Sequence, residues 1–201
     1  MMTTAAKGKR QYRMGVRAQR SEATAVRILS AALERFLTQP YDAVTMAGVA
    51  EAAAVTVPTL MAHFGRKDEL FVAAGQHRFE QITGSRDEAP AGDHEKAVRN
   101  LLDSYESDGD GVLHLLAEEN RFPAVRAMTD KGRAYHHSWV ERVFAPSLEP
   151  LEGAAREMLV VQLIVATDLF AWKLMRRDMK LSRRQAEAAI LKMVNALTGD
   201  D

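Results

Sequence analysis

The sequence predicts an all-α protein: a three-helix head of helix-turn-helix type, then a larger helical bundle. Three observations predict it. Apolar residues recur at three- and four-residue spacings along most of the 201 residues. No segment alternates as a strand would, and there is no internal repeat or low-complexity tract. The periodic stretches are separated by Ser or Thr caps and by Pro and Gly, which start and stop helices.

Apolar residues make up 47% of the chain and charged residues 27%, a balance that supports a folded core. No apolar run approaches the 18 residues or so of a membrane span, and the basic N-terminus lacks the apolar segment of a secretory signal. Without cysteine there is no disulfide, thiolate metal site or thiol nucleophile, and a cytoplasmic location is expected. The net charge is zero but uneven. Residues 1–84 hold 11 Lys/Arg and 7 Asp/Glu, and residues 85–201 hold 16 and 20, so a polyanionic partner would meet the first part.

Residues 1–20 carry Lys7, Lys9, Arg10, Arg13, Arg17 and Arg20 with no acid and are read as a flexible basic arm, either a plain tail or an arm that reaches DNA. The first helix is predicted from about residue 21 to 38, with Val26, Leu29, Ala32, Leu33 and Phe36 on one face and Pro40 after its end. Residues 45–64 read as two short helices. Thr45 caps the first, Thr56 caps the second, and Pro58 lies in the second's first turn, where its missing N–H costs nothing. Val49, Val55, Leu60 and Phe64 would clamp the pair together. Thr56, Val57, Thr59, Met61, Ala62 and His63 are left on an outward face with few charges, as a probe for a DNA groove requires. A fourth helix follows Gly65 and continues to about residue 83.

The stretch GSRDEAPAG at 84–92 breaks the pattern, so the domains are placed at 21–84 and 85–201. Helices are predicted from residue 93 to 106, from 112 to 120 and from 122 to 144, then from 151 to about 177, the last apolar almost all round between Met158 and Ala171. The final helix starts at Ser182 with Gln185 completing a capping box.

Two motifs look like metal sites. Glu106-x-Asp108-x-Asp110-Gly111 matches the first half of a calcium loop, but its twelfth position is Ala117, and the stretch is read as a helix–helix turn. His136-His137 point about 100° apart on a helix, and no metal-binding spacing accompanies them. No metal and no cofactor is expected. A helical hydrolase or lyase built on His114, Glu118 and Asp168 is the enzymatic rival, but no nucleophile–base spacing supports it.

Ile28-Leu29-Ser30-Ala31-Ala32 with Phe36, then Val44-Thr45-Met46-Ala47-Gly48-Val49-Ala50, then Val55-Thr56-Val57-Pro58-Thr59-Leu60, His63-Phe64 and Lys67-Asp68-Glu69-Leu70-Phe71 together resemble the DNA-binding domain of the tetracycline-repressor-like (TetR) regulators. The resemblance covers about residues 25–72 and departs in two places. Ala54 stands where the turn usually has Gly, and Met61 where an aromatic, commonly Tyr, is usual.

The resemblance implies a homodimeric, non-enzymatic regulator that reads a double-stranded operator and answers to a small-molecule effector. A repressor released by that effector is the primary reading; an activator or a ligand-independent DNA binder is the alternative. Expected DNA contacts are Thr45, Gly48, Thr56, Val57, Thr59, Met61, Ala62, His63 and Lys67, with Thr45 and Lys67 at phosphates. Candidate effector contacts are the aromatic and polar residues that interrupt apolar helices: His114, Glu118, Phe122, His136, Trp139, Thr167, Asp168 and Trp172. Ordinary core is the competing reading for each aromatic, and a structural partner is the competing reading for Asp168. Dimerisation through the last two long helices would use Leu159, Gln162, Leu163, Ala166, Phe170, Ala186, Ile190, Met193, Val194 and Leu197.

Overall fold

The structure, a computed structural model, describes the backbone of residues 4–199 and the side chains of the first helix from residue 19 onward. Among the described residues the chain is helical throughout, with no strand. It divides into two compact units, Met1–His77 and Arg78–Asp201, where the sequence predicts the boundary after residue 84.

In the first unit, α1 (Thr4–Thr38) is helical from Thr4, although the sequence predicts an arm through residue 20. That stretch has no proline and is rich in Ala, Arg, Lys and Gln, which cost little in a helix. The side chains of Lys7 to Arg17 lie outside the described residues. The buried face of α1 runs through Ile28, Ala32 and Phe36, and Val26, expected on it, is 43% exposed. Phe36, Tyr41 and Phe71 form an aromatic cluster, with Phe71 edge-on to both partners at ring separations of 5.0 and 5.3 Å.

α2 (Met46–Ala52) and α3 (Val57–Phe64) bend by 102° at their junction. Val49 and Leu60 are fully buried, whereas Val55 and Phe64 are only partly covered. The turn closes through Ala54 N–H to Glu51 O at 3.0 Å and Val55 N–H to Ala50 O at 2.9 Å. Ala54 accordingly takes φ of +51°, so the alanine accepts left-handed backbone and the turn keeps its geometry. Ala54→Gly is expected to stabilise the protein by up to about 1 kcal/mol, relief of this strain exceeding the entropy Gly adds to the unfolded chain. Urea unfolding measures it, and a lower midpoint would contradict the strain assignment.

α4 (Lys67–Asp87) follows Gly65, which stands at φ of +68°; a Cβ there would meet a Glu69 carboxylate oxygen at 2.0 Å. That carboxylate accepts the Arg66 N–H at 2.6 Å and so caps the helix start. α4 runs on through Gly84 and Ser85 to Asp87, so the predicted break at 84 begins only after residue 87.

The second unit packs α5 (His94–Glu118), α6 (Pro123–Val143), α7 (Ala145–Leu148), α8 (Gly153–Thr167), α9 (Leu169–Lys173) and α10 (Arg183–Thr198) around Leu101, Leu102, Trp139, Leu163, Trp172 and Ile190. Two predicted boundaries are corrected here. α5 is one continuous helix through Gly109 and Gly111, not two helices joined by a turn. Gly109 is small because the Trp172 ring lies against it: a Cβ there would come within 2.6 Å of two ring carbons.

The acids that imitate a calcium loop point in different directions, each onto an arginine. Glu106 meets Arg176 at 2.5 Å, Asp108 meets Arg78 at 2.6 Å and Asp110 meets Arg177 at 2.9 Å. The Arg176 hydrogen bonds hold the Glu106 carboxyl below its ordinary range.

The second correction concerns the helix predicted from 151 to about 177. It breaks at Asp168, whose backbone is extended (φ −72°, ψ 153°), and after α9 it continues as a π-helical turn, Leu174–Asp178. Gly153–Asp178 is long and apolar enough to resemble a membrane span, but this break and the burial of Leu163, Thr167 and Trp172 mark it as a core element. α10 begins with the predicted capping box: Ser182 Oγ accepts Gln185 N–H at 3.3 Å and Gln185 Oε1 accepts Ser182 N–H at 2.8 Å.

Candidate nucleic-acid interface and effector site

The candidate DNA surface is set by two caps. Thr45 Oγ1 accepts the Gly48 N–H at 3.1 Å at the start of α2. Thr56 Oγ1 accepts the Thr59 N–H at 3.3 Å at the start of α3 and shares a 2.8 Å hydrogen bond with Thr59 Oγ1. The caps fix α3 while leaving its outer face free. Thr56, Met61 and Ala62 are exposed; Val57, Thr59 and His63 are half-buried beside them.

Except for His63 that face has no ionisable group, so base edges would meet hydroxyls, methyls and the Met61 thioether. Lys67 is half-buried: its amine donates to Asp42 O at 3.3 Å and lies 4.7 Å from the centre of the Tyr41 ring. Gly48 serves a helix contact: Arg35 of α1 approaches so closely that a Cβ at Gly48 would lie 3.3 Å from its guanidinium nitrogen.

The candidate effector residues separate into groups. His136, Trp139 and Thr167 come together. The His136 and Trp139 rings stack at 5.5 Å, and the Thr167 hydroxyl lies 3.2 Å from His136 Nε2. That hydroxyl donates its one proton to Leu163 O at 2.7 Å, so it accepts from Nε2, which carries the imidazole proton and leaves Nδ1 an acceptor. Burial first, then the Arg86 charge, push the His136 pKa down to about 4, so the ring is neutral at pH 7.

Trp172 joins the same core through Tyr105, ring centres 6.0 Å apart, and its indole N–H donates to Glu106 at 2.9 Å. His114, Glu118 and Phe122 gather separately, where α5 ends and α6 begins. Glu118 faces His114 at 3.8 Å and Arg121 at 3.3 Å, and Arg121 covers the Phe122 ring. Asp168 is corrected: it does not sit inside an apolar helix but caps α9, accepting the Phe170 N–H at 2.7 Å.

Two members of this cluster are not among the expected effector contacts, Arg86 and Tyr105. Arg86 is 6% exposed, with its guanidinium 4.8 Å from the Tyr105 ring centre. The Tyr105 hydroxyl donates to Thr167 O at 3.0 Å. The signal for Arg86 was present: Phe79, Ile82 and Arg86 lie at helical spacing on one face of α4, a pattern hidden by ending the helix at residue 83.

Residues 28–74 match the family described as bacterial regulatory proteins, tetR family. The chain carries a TetR-family regulatory domain. A transcriptional regulator from Rhodococcus sp. Rha1 shares the fold with a TM-score of 0.68, over 88% of this chain and 98% of its own, at 16% identity. A tetR-family transcriptional regulator from Streptomyces coelicolor shares it with a TM-score of 0.65, over 86% of this chain and 81% of its own, at 20% identity. None of the curated proteins matches in sequence. The match is to a family of regulatory proteins and not to an enzyme.

In the second unit one further surface stands out. Met158, Val161, Val165, Phe170, Leu174 and Met193 are 40–63% exposed on α8, α9, the π-helical turn and α10. Four of them, Val161, Val165, Leu174 and Met193, line an apolar groove of about 650 Å³ together with Ala166 and Leu197. The residues expected at a subunit interface separate by burial. Leu163, Ala186, Ile190 and Val194 are fully buried in the chain's own core, and Leu159 and Ala166 nearly so, because they sit on the inner faces of their helices. Gln162, Phe170 and Met193 remain exposed and Leu197 half-exposed.

Proposed function

We propose that the protein is a dimeric transcriptional repressor, released from a pseudo-palindromic operator in the cytoplasm by a small-molecule effector. The observation that carries the DNA reading is α3, capped by Thr56 and presenting a nearly uncharged, partly apolar face that a solvated helix has no reason to keep. The exposed apolar face of α8 to α10 supports pairing with a second copy, since contiguous apolar patches on soluble chains mark interaction sites. The His136–Trp139–Thr167 cluster with Arg86 supports an effector site inside the second unit.

α4 links the two roles covalently. It begins at Lys67, beside the DNA-reading face, and reaches Arg86 near its end. An effector that binds one state of the second unit more tightly shifts the population of head positions, and its differential affinity sets the size of the response.

Gel-shift titration tests the DNA surface. Thr59→Ala and Lys67→Ala are each expected to weaken operator binding about tenfold, roughly 1.4 kcal/mol. The Lys67 variant should also show a shallower salt dependence, as loss of a phosphate contact requires. Wild-type affinity in both variants would refute the assignment of this face.

A further inference from the structure

We propose that the effector is a monoanionic carboxylate with an aromatic or apolar body, received by Arg86 of α4 and the Trp139 indole N–H of α6. The inference deepens the effector-released reading above and rests on it for its regulatory meaning, though not for binding itself.

The argument begins with an exception in how the chain treats its arginines. Arg78, Arg133, Arg142, Arg176, Arg177 and Arg183 each have a carboxylate partner, and all keep more solvent contact than Arg86. Arg86, the most deeply buried of them, has none among the described residues. Its Nε donates to the Ser104 hydroxyl at 3.0 Å, and its guanidinium stands 4.8 Å from the Tyr105 ring centre and 5.9 Å from that of Trp139. Aromatic faces and neutral hydroxyls, that of Ser104 and that of Tyr105, which also hydrogen-bonds Arg86, moderate a buried cation but do not neutralise it. Asp87, next in sequence, is already engaged by Arg142 and by the Tyr135 hydroxyl.

A second, independent observation points to the same place. Trp139 is 1% exposed, yet its indole N–H has no hydrogen-bond partner; His136, 9% exposed, has none at Nδ1. Buried polar atoms are paired in the great majority of folded proteins, and the exceptions concentrate where a ligand completes them. The Arg86 charge reaches this pair, since it helps to keep His136 neutral. One guanidinium, one indole donor and a wall of aromatic rings therefore share a dry neighbourhood.

That set selects its ligand. A guanidinium fork matches a carboxylate in two parallel hydrogen bonds. A single buried cation balances a single negative charge, and the desolvation of a dianion grows with the square of its charge, which disfavours phosphate monoesters. The rings of Tyr105, Trp139 and His136 suit an aromatic body, with the stacked pair 5.5 Å apart already showing the geometry they prefer.

The test uses the full chain and matched probes: phenylacetate and benzoate, their uncharged amides, and phenyl phosphate. Binding is read by tryptophan fluorescence, and operator release by gel shift on the same samples. The carboxylates should bind saturably, the amides and phenyl phosphate at least tenfold more weakly. Arg86→Met should abolish the preference for carboxylate over amide, and Trp139→Phe, which keeps the ring and removes the donor, should weaken carboxylate binding severalfold. Circular dichroism checks that both variants remain folded.

Equal binding of acid and amide, tighter binding of phenyl phosphate, no saturable binding of any carboxylate, or an unchanged preference in folded Arg86→Met would each overturn the proposal. The two readings fail differently. Amides that release the operator would sink the carboxylate assignment and leave effector control standing. Carboxylates that bind at Arg86 without touching operator affinity would do the reverse.

Discussion

Val165→Glu or Phe170→Glu is expected to convert a dimer into a monomer and to lower operator affinity by two or more orders of magnitude. Both side chains are more than half exposed on the apolar face of α8 to α10, at 63% and 57%. A charge placed there costs the single chain little, because water already reaches the position. In a dimer the same carboxylate would be buried against Val161, Leu174 and Met193 with no cation facing it from that patch. Desolvating an unpaired carboxylate costs several kcal/mol, enough to dissolve an interface of ordinary size.

Operator affinity is expected to fall with it, because on the proposed dimeric reading each head would then bind its half-site alone. Linked binding contributes an effective-concentration gain of roughly 10² to 10⁴, which the monomer forfeits. Sedimentation equilibrium gives the mass and gel shift the affinity. A Val165→Glu protein that keeps twice the chain mass would place the interface elsewhere. Leu163→Glu is the informative contrast: it should unfold the protein, since Leu163 is fully buried within one chain.

Gly109→Ala should destabilise the protein by about 1–3 kcal/mol, although a mid-helix glycine replaced by alanine ordinarily gains up to about 1 kcal/mol. The added methyl would stand 2.6 Å from two carbons of Trp172, a contact real Cβ atoms do not make. The ring cannot retreat without cost. It is fully buried, its N–H is held by Glu106 at 2.9 Å, and Arg177 lies 4.4 Å from its ring centre on another side. Gly132 in α6 is the matched control, since nothing lies within 4 Å of a Cβ there. Gly132→Ala should stabilise by about 0.5–1 kcal/mol. Thermal unfolding of the pair separates the two effects: opposite shifts are expected, and a shared direction would mean that Trp172 moves freely.

The Gly109 contrast shows where sequence reasoning loses its grip. A run with Gly109, Gly111 and three acids carries the local marks of a turn, and its propensities argue for one. The backbone stays helical because Gly109 and the three acids have distant partners: Trp172 for Gly109, and Arg78, Arg176 and Arg177 for the acids. Asp168 is the opposite case. An apolar stretch with helical periodicity read as continuous, yet the carboxylate caps α9 and breaks it, and nothing in the local pattern distinguishes a capping Asp from a buried one.

The sequence by itself determined the all-α class, the caps at Thr45, Thr56 and Ser182 and the family of the head, because these rest on contacts within a few residues along the chain. Helix capping and the fit of two short helices are local events, and local composition reports them. Only the tertiary structure decided which apolar residues of α8 and α10 face inward and which form an outer patch. On α8 both faces carry apolar residues in sequence, and the difference lies in what packs on each. It also decided that Arg86 lies buried with no carboxylate partner among the described residues, since the pairing of a charge depends on residues far apart in the chain.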